Sequence, residues 1–365
     1  MKSNTIIRNS NAELLRLVCM LMIVVNHFIV CCLNRKAFSL GYDSVPHGIM
    51  LFMDGFFLVC VNCFILISGY YGIRPKLRSF AGLYFICSFY ALLLAVKTYV
   101  FDAPDTPLGE QIWQMAVYAL LPFSHLDSWF VSCYVALFLL SPVLNLTGEH
   151  MTRKQYLWLL VVLTFYNVYM GYIQGDMHFN HDGYTVAQFV YLYLIAGYLR
   201  RYLSETTIRE RRWKSFGWYM ASVGVWMGIT FYCGLGDIIN IYPLRNYWHA
   251  FFYNNPPTLL ASVFFFLFMM SFSFKSRAVN WLATSCLSVY LLQHHIIGYT
   301  WLAEWGATHS PWEQLAVLFP VSIVFMLLCL LFDKVRILLQ KPLWMLYERC
   351  CKPITAWWER WMERS

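Results

Sequence analysis

Arg16 and His27 stand eleven positions apart in the first apolar stretch of the chain. At about 100° per residue, an eleven-residue step returns to within about 20° of the same helical face. The same step climbs about 16 Å, roughly half the hydrocarbon thickness of a bilayer. One stripe of one helix therefore carries a guanidinium near a membrane surface and an imidazole well inside. An imidazole so placed can take a proton from a hydroxyl, or accept a transferred group. A guanidinium suits phosphates and developing oxyanions. Each residue also has a plainer role open to it. Arg16 can anchor the inner leaflet or pair with Glu13 one turn earlier, and His27 can be a core histidine bonded to a neighbouring helix.

Further polar residues interrupt later apolar stretches. Asp54, Asn62 and Ser68 fall in DGFFLVCVNCFILISGYYG, where Ser68–Gly69 also suits two closely approaching helices. Arg74, Lys76 and Arg78 follow as a compact cationic cluster, either a surface anchor or a fork for phosphates. Trp129 opens SWFVSCYVALFLLSPVLN, and CLSVYLLQHHIIGY holds Tyr290 and His294 one turn apart, with His295 offset by about 100°. Tyr242, Tyr247, Trp248 and Tyr253 suit either a platform for sugar rings or an interfacial aromatic belt.

Composition sets the elements that must hold these groups. Of 365 residues, 59% are hydrophobic, 19% aromatic and only 13% charged, with a mean hydropathy of +0.52. Soluble domains carry about 45–50% apolar and about 25% charged residues. The expectation is an all-α, polytopic membrane helix bundle, one domain over 1–345 with a short basic cytoplasmic tail over 346–365. Ten apolar stretches are long enough to cross: 13–33, 49–71, 80–100, 128–147, 155–173, 185–203, 213–235, 256–274, 278–302 and 314–339. The stretch 111–122 is too short and reads as interfacial or re-entrant. With the N-terminus in the cytoplasm, all but Arg35, Lys36, Lys97 and Arg245 of the 27 Lys and Arg fall on the inner side. That asymmetry puts both termini in the cytoplasm and accounts for the net charge of +8 without nucleic acid. Glu13 and Arg16 interrupt the first stretch and no small-residue cleavage site follows, so it is expected to remain as a signal anchor. The 12 cysteines sit mostly in apolar runs with no metal-ligand spacing, and no metal is expected.

Laid out in order, these segments resemble the acyltransferase-3 family of bacterial integral membrane acyltransferases, which includes surface-polysaccharide O-acetyltransferases. ELLRLVCMLMIVVNHF is similar to the family's Arg-x10-His signature, with Arg16 and His27 in those positions. VNCFILISGY with Arg74 and Arg78 behind it, the Trp129 helix, and SVYLLQHH resemble three further family segments. Asn62 stands where many relatives carry Asp, so no carboxylate role carries over there. The resemblance implies an acyl-CoA donor, acetyl-CoA in the first instance, arriving from the cytoplasm at a bacterial inner membrane. It implies donor binding by Arg74, Arg78 and Arg16, and catalysis by His27 with Arg16. Asn62, Ser68, Trp129, Tyr290 and His294 are expected around the cavity. The acceptor would be a hydroxyl of an extracytoplasmic glycan or a lipid-linked sugar. The competing class is a transporter or flippase, with His27 and Asp54 on a proton or substrate path.

Overall fold

The computed structural model describes residues 9–32, 44–126, 128–174, 180, 182–238 and 251–363. Among the described residues every regular element is a helix. Six helices among the described residues are long and apolar enough to cross a membrane: Asn11–Val30, Val45–Tyr71, Leu77–Asp102, Trp129–His150, Arg153–Ile173 and Pro311–Leu339. The protein is an all-helical, multi-pass membrane protein. Of the other expected spans, Val186–Tyr202 and Pro256–Met270 are helices of 17 and 15 residues. Arg212–Ile238 runs for 27 residues, with its last side chains outside the described ones. The short element expected at 111–122 is the 13-residue helix Leu108–Leu120, none of whose residues is fully buried. Residues 346–363 of the expected tail belong to a helix, Lys341–Glu363, that starts directly after the last span.

The stretch 278–302 departs most from expectation. Instead of one continuous helix it is a relay: Arg277–Ala283, Cys286–Leu291, a π-helical turn Leu292–Ile297, then Thr300–Thr308, with Gly298 at φ 66°. A break inside a bilayer frees backbone groups that water cannot satisfy. The last span supplies the partners. Lys334 donates to the Trp281 carbonyl at 2.6 Å and to Thr284 Oγ1 at 2.9 Å. One turn of helix alongside, Asp333 accepts from Ser288 Oγ at 2.5 Å and from the Tyr90 hydroxyl at 2.9 Å. Arg336 closes this network at 2.5 Å from Asp333. Arg336 is therefore buried in an ion pair.

The first two spans form the centre. We label Asn11–His27 α1, Val45–Phe57 α2 and Val59–Tyr71 α3. The α2–α3 span is 67% buried along its apolar window, against 22–44% for the other five, so its neighbours shield it from lipid. α1 is stapled at its start: the Ser10 amide donates to the Phe274 carbonyl, and the Asn11 side chain to the Met270 carbonyl. α3 lies against Val186–Tyr202 because Gly69 presents no side chain. A Cβ there would sit 2.3 Å from the Tyr193 carbonyl oxygen and 2.7 Å from its Cα, both backbone atoms that cannot swing aside. Gly69→Ala is expected to cost about 1–3 kcal/mol through forced helix separation, read as a lower unfolding midpoint in detergent. Gly82→Ala, also inside a helix but with a Cβ that meets nothing within 4 Å, is the control that carries the same gain in helix propensity without the clash. Equal midpoints for the two variants would remove Gly69 from the account.

Candidate active site

α1 touches α2, α3, the helix Pro256–Met270, the broken segment and the last span, so few of its faces meet lipid. Along it lies a cavity of about 640 Å³. Arg16, Met20, Ile23, His27 and Val30 line this space, a single stripe at steps of three and four residues. α1 runs antiparallel to α2–α3, with Asn26 against Asp54 and Cys19 against Cys63. Ser68 consequently enters the wall toward the Arg16 end, and Asp54 toward the His27 end.

At one end, Arg16 pairs with Glu13 at 2.6 Å while still lining the cavity. The ion pair and the cavity position coexist, because a three-residue step leaves both side chains on neighbouring faces. At the other end, His27 Nδ1 lies 2.8 Å from the Tyr299 hydroxyl, with the two rings edge-on at 5.9 Å. Tyr299 follows the Gly298 turn, so the break in the 277–308 relay is what delivers it to the imidazole. Nothing in the chain order near His27 announces this partner. The available signal is Gly298 interrupting an apolar run that a continuous span would not need to interrupt.

Asp54 is fully buried and lines the cavity. The Asn26 side-chain amide donates to its Oδ1, and Oδ2 has no hydrogen-bond partner among the described residues. An orphaned carboxylate oxygen in a cavity wall is costly and gives the space an acceptor of hydrogen bonds close to His27. Aromatic rings build much of the remaining wall. Trp129 stacks on Tyr253 at 6.0 Å and 27° and lies 4.5 Å from Tyr184, while Tyr290 accepts from Ser128 Oγ at 3.4 Å. All four rings line the cavity, as does Ser68, whose hydroxyl is turned back onto the Phe64 carbonyl.

Other expected site residues lie elsewhere. Asn62 is buried behind the wall, donating to the Tyr253 carbonyl and Ser262 Oγ, both at 3.1 Å, and accepting from Gln188 at 3.3 Å. Its work is to hold the chain around Tyr253 in place, which a neutral carboxamide does with both ends. Arg74 and Arg78 are exposed and do not line the cavity. Arg78 pairs with Glu348 at 2.8 Å and lies over the Trp344 ring at 5.6 Å. The side chains of His294 and His295 lie outside the described residues, as do Tyr242, Tyr247 and Trp248.

The bundle thus encloses a cavity with polar ends and an aromatic wall. The family whose model is described as an acyltransferase domain (acyltransferase-3) matches residues 9–333, and the chain belongs to that family. No curated protein and no solved structure matches it. The match begins just before α1 and ends inside the last span, so it contains the whole cavity and leaves the C-terminal helix outside.

The contact between Asn26 and Asp54 has a direct structural test. Asn26→Ala strips Oδ1 of its donor and is expected to destabilise the protein by about 1–3 kcal/mol, seen in detergent unfolding. Adding Asp54→Ala should recover part of the loss, since removing both partners leaves no orphan. A single variant as stable as wild type would show that the contact carries nothing.

Proposed function

We propose that this membrane acyltransferase moves an acyl group, acetyl in the first instance, from cytoplasmic acyl-CoA to a hydroxyl of an extracytoplasmic or lipid-linked glycan. The observation that supports it is that Arg16 and His27, in a chain of this family, line opposite ends of one cavity. In this reading ten spans cross a bacterial inner membrane with both termini in the cytoplasm, following the Lys and Arg asymmetry. The thioester arm enters at the Arg16 end and runs along the Met20–Ile23 stripe. The climb of about 16 Å between the two residues matches the reach of a pantetheine chain, whose apolar and amide portions suit that wall. The phosphates stay outside, on the side where Ser68 leads into Arg74.

The chemistry then centres on His27. In this reading Nδ1–H donates to the Tyr299 hydroxyl, which leaves the lone pair on Nε2 to act as general base. Nε2 takes the proton of the acceptor hydroxyl as its oxygen attacks the thioester carbonyl carbon. The carbon–sulfur bond breaks, and the proton passes from His27 to the leaving thiolate. Arg16, a membrane half-thickness away, orients the donor instead of touching the reacting carbonyl. Asp54 Oδ2 and the rings of Trp129, Tyr184 and Tyr253 receive the sugar, a carboxylate taking a hydroxyl and aromatic faces taking the ring.

His27→Ala should abolish transfer of radiolabelled acetyl to envelope glycan while the protein still inserts in the membrane. Transfer at the wild-type rate would refute the mechanism. Tyr299→Phe should lower kcat by about fivefold with little change in KM for the donor, since one orienting hydrogen bond contributes about 1 kcal/mol. An Arg16→Gln variant should show the opposite split, a raised KM for acyl-CoA.

A further inference from the structure

The helix Lys341–Glu363 lies beyond the residues that carry the family resemblance, and the cavity makes no use of it. Its side chains sort into three faces at about 100° per residue. One face carries Trp344, Tyr347, Cys351, Thr355 and Trp358, each partly covered by the rest of the protein. Trp344 lies against Phe85 at 5.7 Å, and Trp358 Nε1 donates to the Pro75 carbonyl at 3.1 Å. A second face, about 100° around, carries Leu343, Leu346, Cys350, Ile354 and Trp357. Its four large apolar members are 52%, 59%, 55% and 58% exposed. The third face, roughly opposite the second, holds Lys341, Arg349 and Lys352, with Met345 between them.

A helix in bulk water would not keep an apolar stripe of this length open on one side with charges on the other. The position of the helix says what covers it. It begins two residues after Leu339, the last residue of a membrane span, so it emerges at the level of the bilayer surface. Its inner face is held against Pro75 and Arg78, where another span, Leu77–Asp102, also begins. The lipid-exposed Val335, Leu338 and Leu339 lead directly into Leu343 and Leu346. We propose that Lys341–Glu363 is an interfacial strap: it lies flat on the membrane, its Leu343–Trp357 stripe inserted among lipids, Lys341, Arg349 and Lys352 toward water, and its aromatic face bolted to the bundle. The occupant of the stripe is the interfacial layer of the bilayer itself.

Site-directed spin labelling of the full chain tests this. Leu343→Cys, Leu346→Cys, Ile354→Cys and Trp357→Cys report on the stripe, and Lys341→Cys, Arg349→Cys and Lys352→Cys on the opposite face. Each is made with Cys350 and Cys351 replaced by serine, and background labelling is subtracted using the otherwise unsubstituted protein. In vesicles of phosphatidylcholine and phosphatidylglycerol, labels on the stripe should collide with oxygen several-fold more than with a water-soluble nickel chelate. Labels on the opposite face should show the reverse, giving an oscillation in helical phase. Stripe labels open to the chelate would overturn the strap. Stripe labels closed to both reagents would overturn it equally, by showing that a second copy of the chain, and not lipid, covers the stripe.

Discussion

In a bilayer a polar group needs either a partner or a cavity, and α1 is built around that condition. Its stripe from Arg16 to Val30 lines the enclosed space, which therefore follows the line of its ionisable groups. Glu13 meets the guanidinium at one end and Tyr299 the imidazole at the other. The antiparallel α2–α3 span completes the enclosure, and Gly69 lets Val186–Tyr202 close behind it at backbone contact. Without the stripe, the cavity would have no polar ends. Without the close packing around it, those ends would face hydrocarbon.

The broken segment between Arg277 and Thr308 depends on the same condition. Its interruptions would be intolerable against lipid, but Asp333 and Lys334 of the last span satisfy Ser288, Thr284 and the Trp281 carbonyl. In return the break turns Tyr290 into the cavity wall and brings Tyr299 to His27. A buried Asp–Arg pair is poor evidence of stability in itself, since desolvation offsets most of its attraction. Here the pair has a positional role: Arg336 holds Asp333 in the orientation that meets Ser288 and Tyr90.

A second polar cluster sets the aromatic wall. Asn62, Gln188, Asn167 and Asn180 form a chain of carboxamides, and the first two of them grip the Tyr253 carbonyl. Gly183, at φ 86°, lies so close that a Cβ there would sit 2.8 Å from Tyr253 Cβ. The wall that stacks Trp129 on Tyr253 is thus held by neutral side chains that satisfy one another. A carboxylate at position 62 would lose the donor that Ser262 and Tyr253 both use.

Local properties were readable from residue order. The helical character, the membrane setting and the shared face of Arg16 and His27 follow from composition and a 3.6-residue period, which need no neighbours. The Ser68–Gly69 step was likewise legible as a close helix approach, with Gly69 packed on the Tyr193 backbone. Contacts between distant segments were not. Asn62 and Arg78 carry the residue types of a site, yet Ser262, Gln188 and Glu348 engage them, and no spacing encodes partners 200, 126 and 270 positions away. The burial of Arg336, the orphaned oxygen of Asp54 and the pairing of His27 with Tyr299 were decided only by the packed bundle. Sequence determines which groups a helix offers on each face; tertiary structure decides whether lipid, another side chain or a cavity meets them, because burial is a property of the whole assembly of helices.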